Sequence, residues 1–303
     1  MIRRHLPLRQ LSPAGDGWQY WVGYYDIAPW SPDSTKLLCH RARFADRFPD
    51  PGEPCEVGFL DLTASSPAFT ALGESLAWNW QQGAMLRWFD ERNLIFNDRA
   101  DRAPAGPIVA RIVDTHGSKQ RTLPGPALAL APDRSAALSL SMGRINAVRF
   151  EYGYPGDIDA NPGIAAPEDD GVFRIDLNTG ERTLIVPLSK LALGLGDREP
   201  FAYANHLMYN RSGTRFCFVH RYERADGITQ TRLFTANATD GSDLRLLMTG
   251  MVSHYDWRDD ATILAWAGFR KLLGGTPDAD ANAGPSAGAR AMTAARRTLK
   301  LDK

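Results

Sequence analysis

Trp30-Ser-Pro-Asp-Ser-Thr-Lys-Leu-Leu-Cys39 is the stretch on which the reading of this chain turns. An aromatic residue closes one apolar segment, Ser-Pro-Asp-Ser reverses the backbone, and Leu-Leu-Cys opens a second strand. Proline presets φ, and the serine and aspartate side chains satisfy backbone groups locally, so the reversal is tight. The same grammar returns at Trp88-Phe-Asp-Glu-Arg-Asn-Leu-Ile-Phe96, Leu130-Ala-Pro-Asp-Arg-Ser-Ala-Ala-Leu-Ser-Leu140, Tyr209-Asn-Arg-Ser-Gly-Thr-Arg-Phe-Cys-Phe-Val219 and Asp256-Trp-Arg-Asp-Asp-Ala-Thr-Ile-Leu-Ala-Trp266. The intervals between these turns are about 58, 42, 79 and 47 residues.

Further strands follow several of the hairpins. Val57–Leu62, Val172–Leu177 and Leu233–Asn237 run into polar turns, and Arg182–Val186 and Leu244–Met248 supply fourth strands. Four strands per unit, recurring every 40 to 60 residues or so, is the signature of propeller blades. The fold class expected is therefore all-β, a β-propeller. A continuous β-sandwich competes, but a Ser-Pro-Asp turn after an aromatic, followed by an Asp-Leu-x-x-Gly turn, favours the propeller. Five blades are counted, with a sixth drawing on the N-terminal strand. The long third interval, Glu151 through Asp170, reads as an extended surface loop.

The 35 basic and 35 acidic residues cancel, which excludes a global field drawing the chain onto nucleic acid or an anionic membrane. No window approaches the roughly 20 apolar residues of a membrane span, and no signal-peptide core precedes Gln19, so a cytoplasmic protein is the default. Cys39, Cys55 and Cys217 are odd in number and widely spaced. They read as buried small hydrophobes, not as a disulfide framework or zinc cage. No phosphate-binding loop, nucleophile elbow or HExxH motif occurs.

Propeller geometry converts position into a face. Residues entering a blade's first strand share a rim with those leaving its second. Entering are Tyr24-Tyr25-Asp26, Gln81-Gln82, Asn205-His206 and Ser253-His254; leaving are His40-Arg41-Ala42-Arg43, Asn97-Asp98-Arg99 and His220-Arg221. This places His40, His206, His220 and His254 on one face with Arg41, Arg43, Arg99 and Arg221. Neutral imidazoles from separate blades suit a divalent transition metal, with a Gln or Asn oxygen beside them. Guanidinium forks suit the carboxylates of an acidic sugar. Together they fit metal-assisted β-elimination on a uronate, in which charge withdrawal from a carboxylate acidifies the neighbouring C–H for a positioned base.

Each residue also has a plainer reading. His220 caps a Phe-Cys-Phe-Val strand, His206 hydrogen-bonds a neighbouring blade, and His40 is a solvated residue beside an arginine-rich loop. His5 and His116 are exposed and inert. Trp78 and Trp80 pack between blades or form a sugar platform.

The Trp30, Leu130 and Phe234-Thr-Ala-Asn-Ala-Thr-Asp-Gly-Ser-Asp243 stretches resemble TolB-type, WD-like propeller repeats. Trp78-Asn-Trp-Gln-Gln-Gly83, Asn205-His-Leu-Met208 and Val252-Ser-His-Tyr-Asp-Trp257 resemble the oligogalacturonate lyases, over about residues 20 to 267. That resemblance implies a seven-bladed cytoplasmic enzyme of pectin breakdown, acting on short acidic oligosaccharides with a manganese-type ion. Carried onto this sequence, it makes His206, His220, His254 and Gln82 the metal ligands and His206 and Arg99 the catalytic pair. Arg41, Arg43, Arg221, Trp80 and Tyr25 would bind substrate. The family's His-x-His pair does not occur here: His254 is followed by Tyr255-Asp256. This departure favours the alternative, a non-catalytic propeller that binds a protein partner as a scaffold module.

The chain changes character after Trp266. Residues 1–270 form the expected propeller domain, and 271–303, rich in Ala, Gly and Asp, a low-complexity tail with a short basic helix at Ala289–Lys300. Against a seven-bladed family this reads as a truncation or frame shift after Ala267.

Overall fold

The computed structural model describes residues 8–192, 201–223 and 229–268. The expected tail, the basic helix and His5 lie outside the described residues. The chain divides into two compact units: 8–127 with 146–159, and 128–145 with the described residues from 160 onward.

The first unit holds two antiparallel meanders. One runs β1 (Gln19–Trp21), β2 (Lys36–Ala42), β3 (Cys55–Asp61), β4 (Phe69–Ser75). The other runs β5 (Arg87–Trp88), β6 (Asn93–Arg99), β7 (Ile108–Asp114), β8 (Lys119–Pro124). β3 and β6 are buried over nearly their whole length, whereas β4 leaves Thr70, Ala71 and Glu74 exposed. A strand covered on both faces reads as a continuous apolar run, and an outer strand alternates. The core of this unit is built around Val57, Phe59, Trp78, Trp88, Leu94 and Phe96. Burying a side chain such as Phe96, 2 % exposed, stabilises by roughly 2–3 kcal/mol.

The second unit begins with β9 (Ala129–Leu130), β10 (Ala136–Ser139) and α1 (Met142–Val148), whose first turn belongs here. It continues with β11 (Gly171–Asp176), β12 (Arg182–Pro187), α2 (Leu188–Ala192), β13 (Ala202–Tyr209), β14 (Arg215–Glu223), β15 (Thr229–Asn237), β16 (Arg245–Trp257) and β17 (Ile263–Gly268). β9–β12 form one meander and β13–β17 a five-stranded run. β16 serves two sheets. Its first half pairs with β15 up to Gly250, and its second half pairs with β17 from Met251. Gly250 stands at the changeover with φ 135°, a conformation that favours glycine.

Sequential four-stranded antiparallel sheets of this order are propeller blades. Among the described residues there are four complete blades and the inner pair of a fifth, and the fold class is the all-β propeller. The N-terminal strand does not feed a sixth blade: β1 pairs with β2, placing Gln19 opposite Ala42, as the inner strand of the first.

The repeat read from the sequence has a common geometry. Ser34, Arg134 and Gly213 all have positive φ (59°, 61° and 73°) at the same place in their turns. Their amides bond the carbonyls of Ser31, Ala131 and Asn210 at 2.8, 2.9 and 3.1 Å. Asp33 and Asp133 bind the turn through their carboxylates, accepting from the Thr35 and Ser135 amides at 3.0 and 2.9 Å.

The segment 151–170 holds no helix or strand and is exposed at Ile158 and Ile164, as a surface loop is, but part of it packs inward. Tyr154 is fully buried, and its hydroxyl accepts a hydrogen bond from Asn97 Nδ2 at 2.8 Å. A tyrosine inside needs a partner for its hydroxyl, and Asn97 supplies one. The free thiols of Cys39, Cys55 and Cys217 are all buried, and burial pushes Cys39 up to about 12. No helix of the described residues is long and apolar enough to cross a membrane.

Candidate functional site

The first unit holds six of the candidate site residues, Arg41, Arg43, Arg99, Trp80, Tyr25 and Gln82, together with His40 and His116. Arg41, at the end of β2, pairs with Glu56 across the sheet at 2.7 Å and donates to the Tyr20 hydroxyl at 3.3 Å. Its guanidinium and that of Arg43 both stack on Trp18, at 4.1 and 3.7 Å. The two arginines are thus brought together, by an aromatic ring of the chain itself.

Arg99 ends β6 and is wholly buried. Its two Nη groups donate to the carbonyls of Gly106 at 2.6 Å and Pro155 at 2.7 Å. Its neighbours are engaged in the same way. Asn97 Oδ1 accepts from the Ala127 amide at 2.8 Å, and Asp98 accepts from the Leu76 amide at 2.9 Å and from Arg111 at 2.6 Å. The Asn97-Asp98-Arg99 run is polar because buried loops on either side need its hydrogen bonds. That role was not legible in the sequence, where polarity at a strand end reads as a rim.

Trp80 is half-buried, donates through Nε1 to the Arg47 carbonyl at 2.8 Å, and packs on Trp21, Trp78 and Phe44 at 4.6, 5.0 and 5.6 Å. Tyr25 is 49 % exposed and tilts on Tyr24. Gln82 is half-buried, and its backbone N–H donates to Asn79 Oδ1 at 2.7 Å. His40 is a correction. Far from being solvated, it is 1 % exposed, stacks on Trp21 at 5.2 Å and accepts from the Ala84 amide at 3.0 Å. Burial, which penalises the imidazolium, lowers it to about 4. His116 is exposed in its turn, as expected.

The second unit holds the other candidates. His206 lies in the β13 bulge between Asn205 and Met208, with φ 55°. Its ring stacks on Tyr255 at 4.7 Å, and the Tyr255 hydroxyl donates to the His206 carbonyl. His254 precedes Tyr255 on β16 and is exposed, so strand alternation turns it away from the face that carries His206; Ser253 Oγ lies 2.9 Å from its Nδ1. His220 on β14 is fully buried, with Arg232 of β15 directly opposite. Arg232 Nη2 stands 3.3 Å from His220 Nδ1. Burial first, then the Arg232 and Arg144 charges, hold this imidazole at about 3. Arg221, half-buried, faces Tyr203 and Thr231 across the sheet.

Among the described residues, no three His, Cys, Asp or Glu side chains come together as a metal ligand set. Two arginines carry more weight than the sequence suggested. Arg232 sits against His220, and the buried Arg144 of α1 donates to the carbonyls of Ala202, Ile164 and Ala165 at 2.6, 2.9 and 2.5 Å. Neither precedes or follows a turn signal, so no local pattern marked them.

The protein is thus a β-propeller whose polar strand ends are largely consumed internally. No protein-family model matches the chain, and no curated protein matches it. Among solved structures it is similar to a puromycin-hydrolysing peptidase of Mycobacterium tuberculosis, with 14 % identity and TM-score 0.42 over 72 % of this chain and 28 % of that one. It is similar to a prolyl endopeptidase at 13 % identity and TM-score 0.41, over 74 % of this chain and 30 % of that one. A Lactobacillus plantarum protein aligns at 13 % identity and TM-score 0.30, over 70 % of this chain and 53 % of that one. The chain spans under a third of the length of the two peptidases and about half of the third protein. The propeller assignment rests on the sheet order.

Proposed function

We propose that this propeller is a non-catalytic binding module for a protein partner. The observation that carries the reading is the state of Arg99: a guanidinium expected to dock a substrate carboxylate is instead buried and bonded to the Gly106 and Pro155 carbonyls. Arg41 is likewise neutralised by Glu56. Releasing either would leave a part-buried carbonyl or carboxylate without its donor, which opposes the release.

The same unit offers an apolar surface of the kind proteins bind. Phe48 and Phe150 meet edge to face at 4.8 Å, each about half exposed, and Ile158 is 77 % exposed. Exposed aromatics packed together on a polar surface are typical anchors of a protein interface.

Purified protein with manganese and digalacturonate is expected to form no unsaturated uronate. Capture of a defined protein partner is expected to survive His206→Ala and His254→Ala and to be lost on Phe48→Ser with Phe150→Ser. Turnover of digalacturonate abolished by His206→Ala would overturn this reading in favour of the metal-assisted lyase, with His206, His220, His254 and Gln82 as ligands.

A further inference from the structure

β17 is the outer strand of the two-stranded fifth blade, and among the described residues no strand pairs with its far edge. Its composition is not that of an edge. The outer strands of the four complete blades all carry charge: Glu74 on β4, Lys119 and Arg121 on β8, Arg182 on β12 and Arg245 on β16. Charges on an outer strand discourage further pairing. β17, Ile-Leu-Ala-Trp-Ala-Gly, has neither charge nor proline. Leu264 and Trp266 are 75 % and 62 % exposed on one face, while Ile263 and Ala265 pack on the cluster of Val219, Val252 and Trp257 with the other.

Backbone direction fixes what the open edge offers. The Arg258 N–H donates to the Thr262 carbonyl at 2.9 Å, so Thr262 turns its backbone groups toward β16. The irregularity between Val252 and His254 lies on β16, and β17 stays regular. Alternation then directs Leu264 and Trp266 as Thr262 is directed, and turns the N–H and C=O of Ile263, Ala265 and Ala267 outward. These outward residues are symmetric about Ala265. An antiparallel copy of β17 centred there is self-complementary: Ala265 bonds Ala265 of the second copy, and Ile263 bonds its Ala267. In that register Leu264 stands opposite Trp266 of the second copy, a close non-hydrogen-bonded pair on the exposed face.

Charge agrees with the same register. Asp259-Asp260 and Arg270-Lys271 lie at equal separations from Ala265 in the sequence, so a twofold at that residue sets acid against base at both ends. Residues 271–303 contain no Val, Ile or aromatic residue, the types that strands favour, so a second copy is the better source of the missing strand.

We propose that two copies of this chain associate through β17, joining two half-blades into one four-stranded antiparallel sheet of order β16-β17-β17-β16. The surface belongs to the second unit and is independent of the partner-binding reading, which rests on Phe48 and Phe150 of the first.

The test is sedimentation velocity of the full chain from low to high micromolar concentration. Wild type is expected to dimerise in that range, since a single strand edge is a small interface. Ala265→Pro removes only an outward N–H, which an edge strand tolerates, and Trp266→Lys adds the charge that the other outer strands carry. Both variants are expected to fold and to weaken the dimer at least about tenfold. Phe48→Ser with Phe150→Ser is expected to leave it intact. A second readout checks the register. Leu264→Cys mixed with Trp266→Cys is expected to give a disulfide between copies that neither variant gives alone, since the native thiols are buried. A wild type that stays monomeric, with β17 covered by the chain's own later residues, would overturn the proposal. So would a dimer that survives Ala265→Pro and Trp266→Lys, or one lost with Phe48 and Phe150.

Discussion

The imidazole of His40 lies so close to Gly83 that a β-carbon on the glycine would stand 2.3 Å from Cε1 and 2.4 Å from Nε2. The same Nε2 accepts the amide hydrogen of the next residue, Ala84. Gly83 itself has φ 63°, in the left-handed region. The histidine is therefore clamped by a backbone that only glycine can bring near enough. Gly83→Ala would meet both the clash and the conformational penalty, and neither neighbour can yield, because the ring is held between Trp21 and the chain. A loss of at least about 2–3 kcal/mol is expected by urea unfolding. An unchanged midpoint would show that the ring is not clamped.

The two buried histidines predict a pH dependence. His40 is held at about 4 and His220 at about 3, both below the 6.5 of an exposed imidazole. The unfolded chain then binds protons that the folded chain refuses, so stability is full above pH 6.5 and declines as pH falls toward 4. For His40 alone the depression of roughly 2.5 pH units corresponds to about 3 kcal/mol. Urea midpoints at pH 7 and 4.5 should differ accordingly, and His40→Gln should remove its share of the difference while leaving that of His220. A flat wild-type profile would contradict the burial of both rings.

A separate acid limb belongs to the turn aspartates. Asp33, held by Ser31 and Thr35, and Asp259, held chiefly by the Ala261 amide, both lie at about 2. A carboxylate lowered in this way stabilises the fold above its unfolded value near 4, and that contribution disappears as pH drops toward 2. Asp33→Asn should remove part of this second loss while leaving the first intact. Unfolding followed from pH 7 to pH 2 distinguishes the two limbs.

Ser34 pays a conformational penalty that Gly213 avoids at the corresponding turn position. It is exposed, and its amide bond to Ser31 does not depend on its side chain. Ser34→Gly is expected to be neutral or to stabilise by up to about 1 kcal/mol, whereas Gly213→Val should cost more than that. Differential scanning calorimetry of the two variants decides it, a destabilised Ser34→Gly counting against the strain argument.

Tyr154 and Asn97 meet inside the first unit. Tyr154→Phe removes the acceptor of the Asn97 amide and leaves a buried donor unmet, for an expected loss of about 1–2 kcal/mol. Asn97→Ala should cost more, since Oδ1 also serves the Ala127 amide. Equal losses from the two variants would show that the Ala127 bond contributes nothing.

The turns were legible because their chemistry is local. Ser31, Asp33 and Thr35, or Asn210 and Gly213, satisfy backbone groups within a few residues, so the pattern survives in the linear order. Strand order followed, since a meander pairs neighbours in sequence. The candidate site was only partly legible. His40 and Arg99 sit at strand ends, where propeller geometry suggests a rim. What covers them, however, comes from far along the chain: Gly83 and Ala84 for His40, and Pro155 for Arg99. Sequence position alone said nothing of those covers.

The sequence by itself thus determined the blade repeat, the turn types and the buried thiols, all consequences of short-range backbone needs and alternating apolar residues. Tertiary structure decided which polar side chains stay available. Burial depends on segments brought together across the fold, and burial is what makes His40 a neutral acceptor, Arg99 a brace for two carbonyls and Arg232 a cation beside an imidazole. In a medium that withholds water, a charged or polar group must take its partner from whatever the fold supplies.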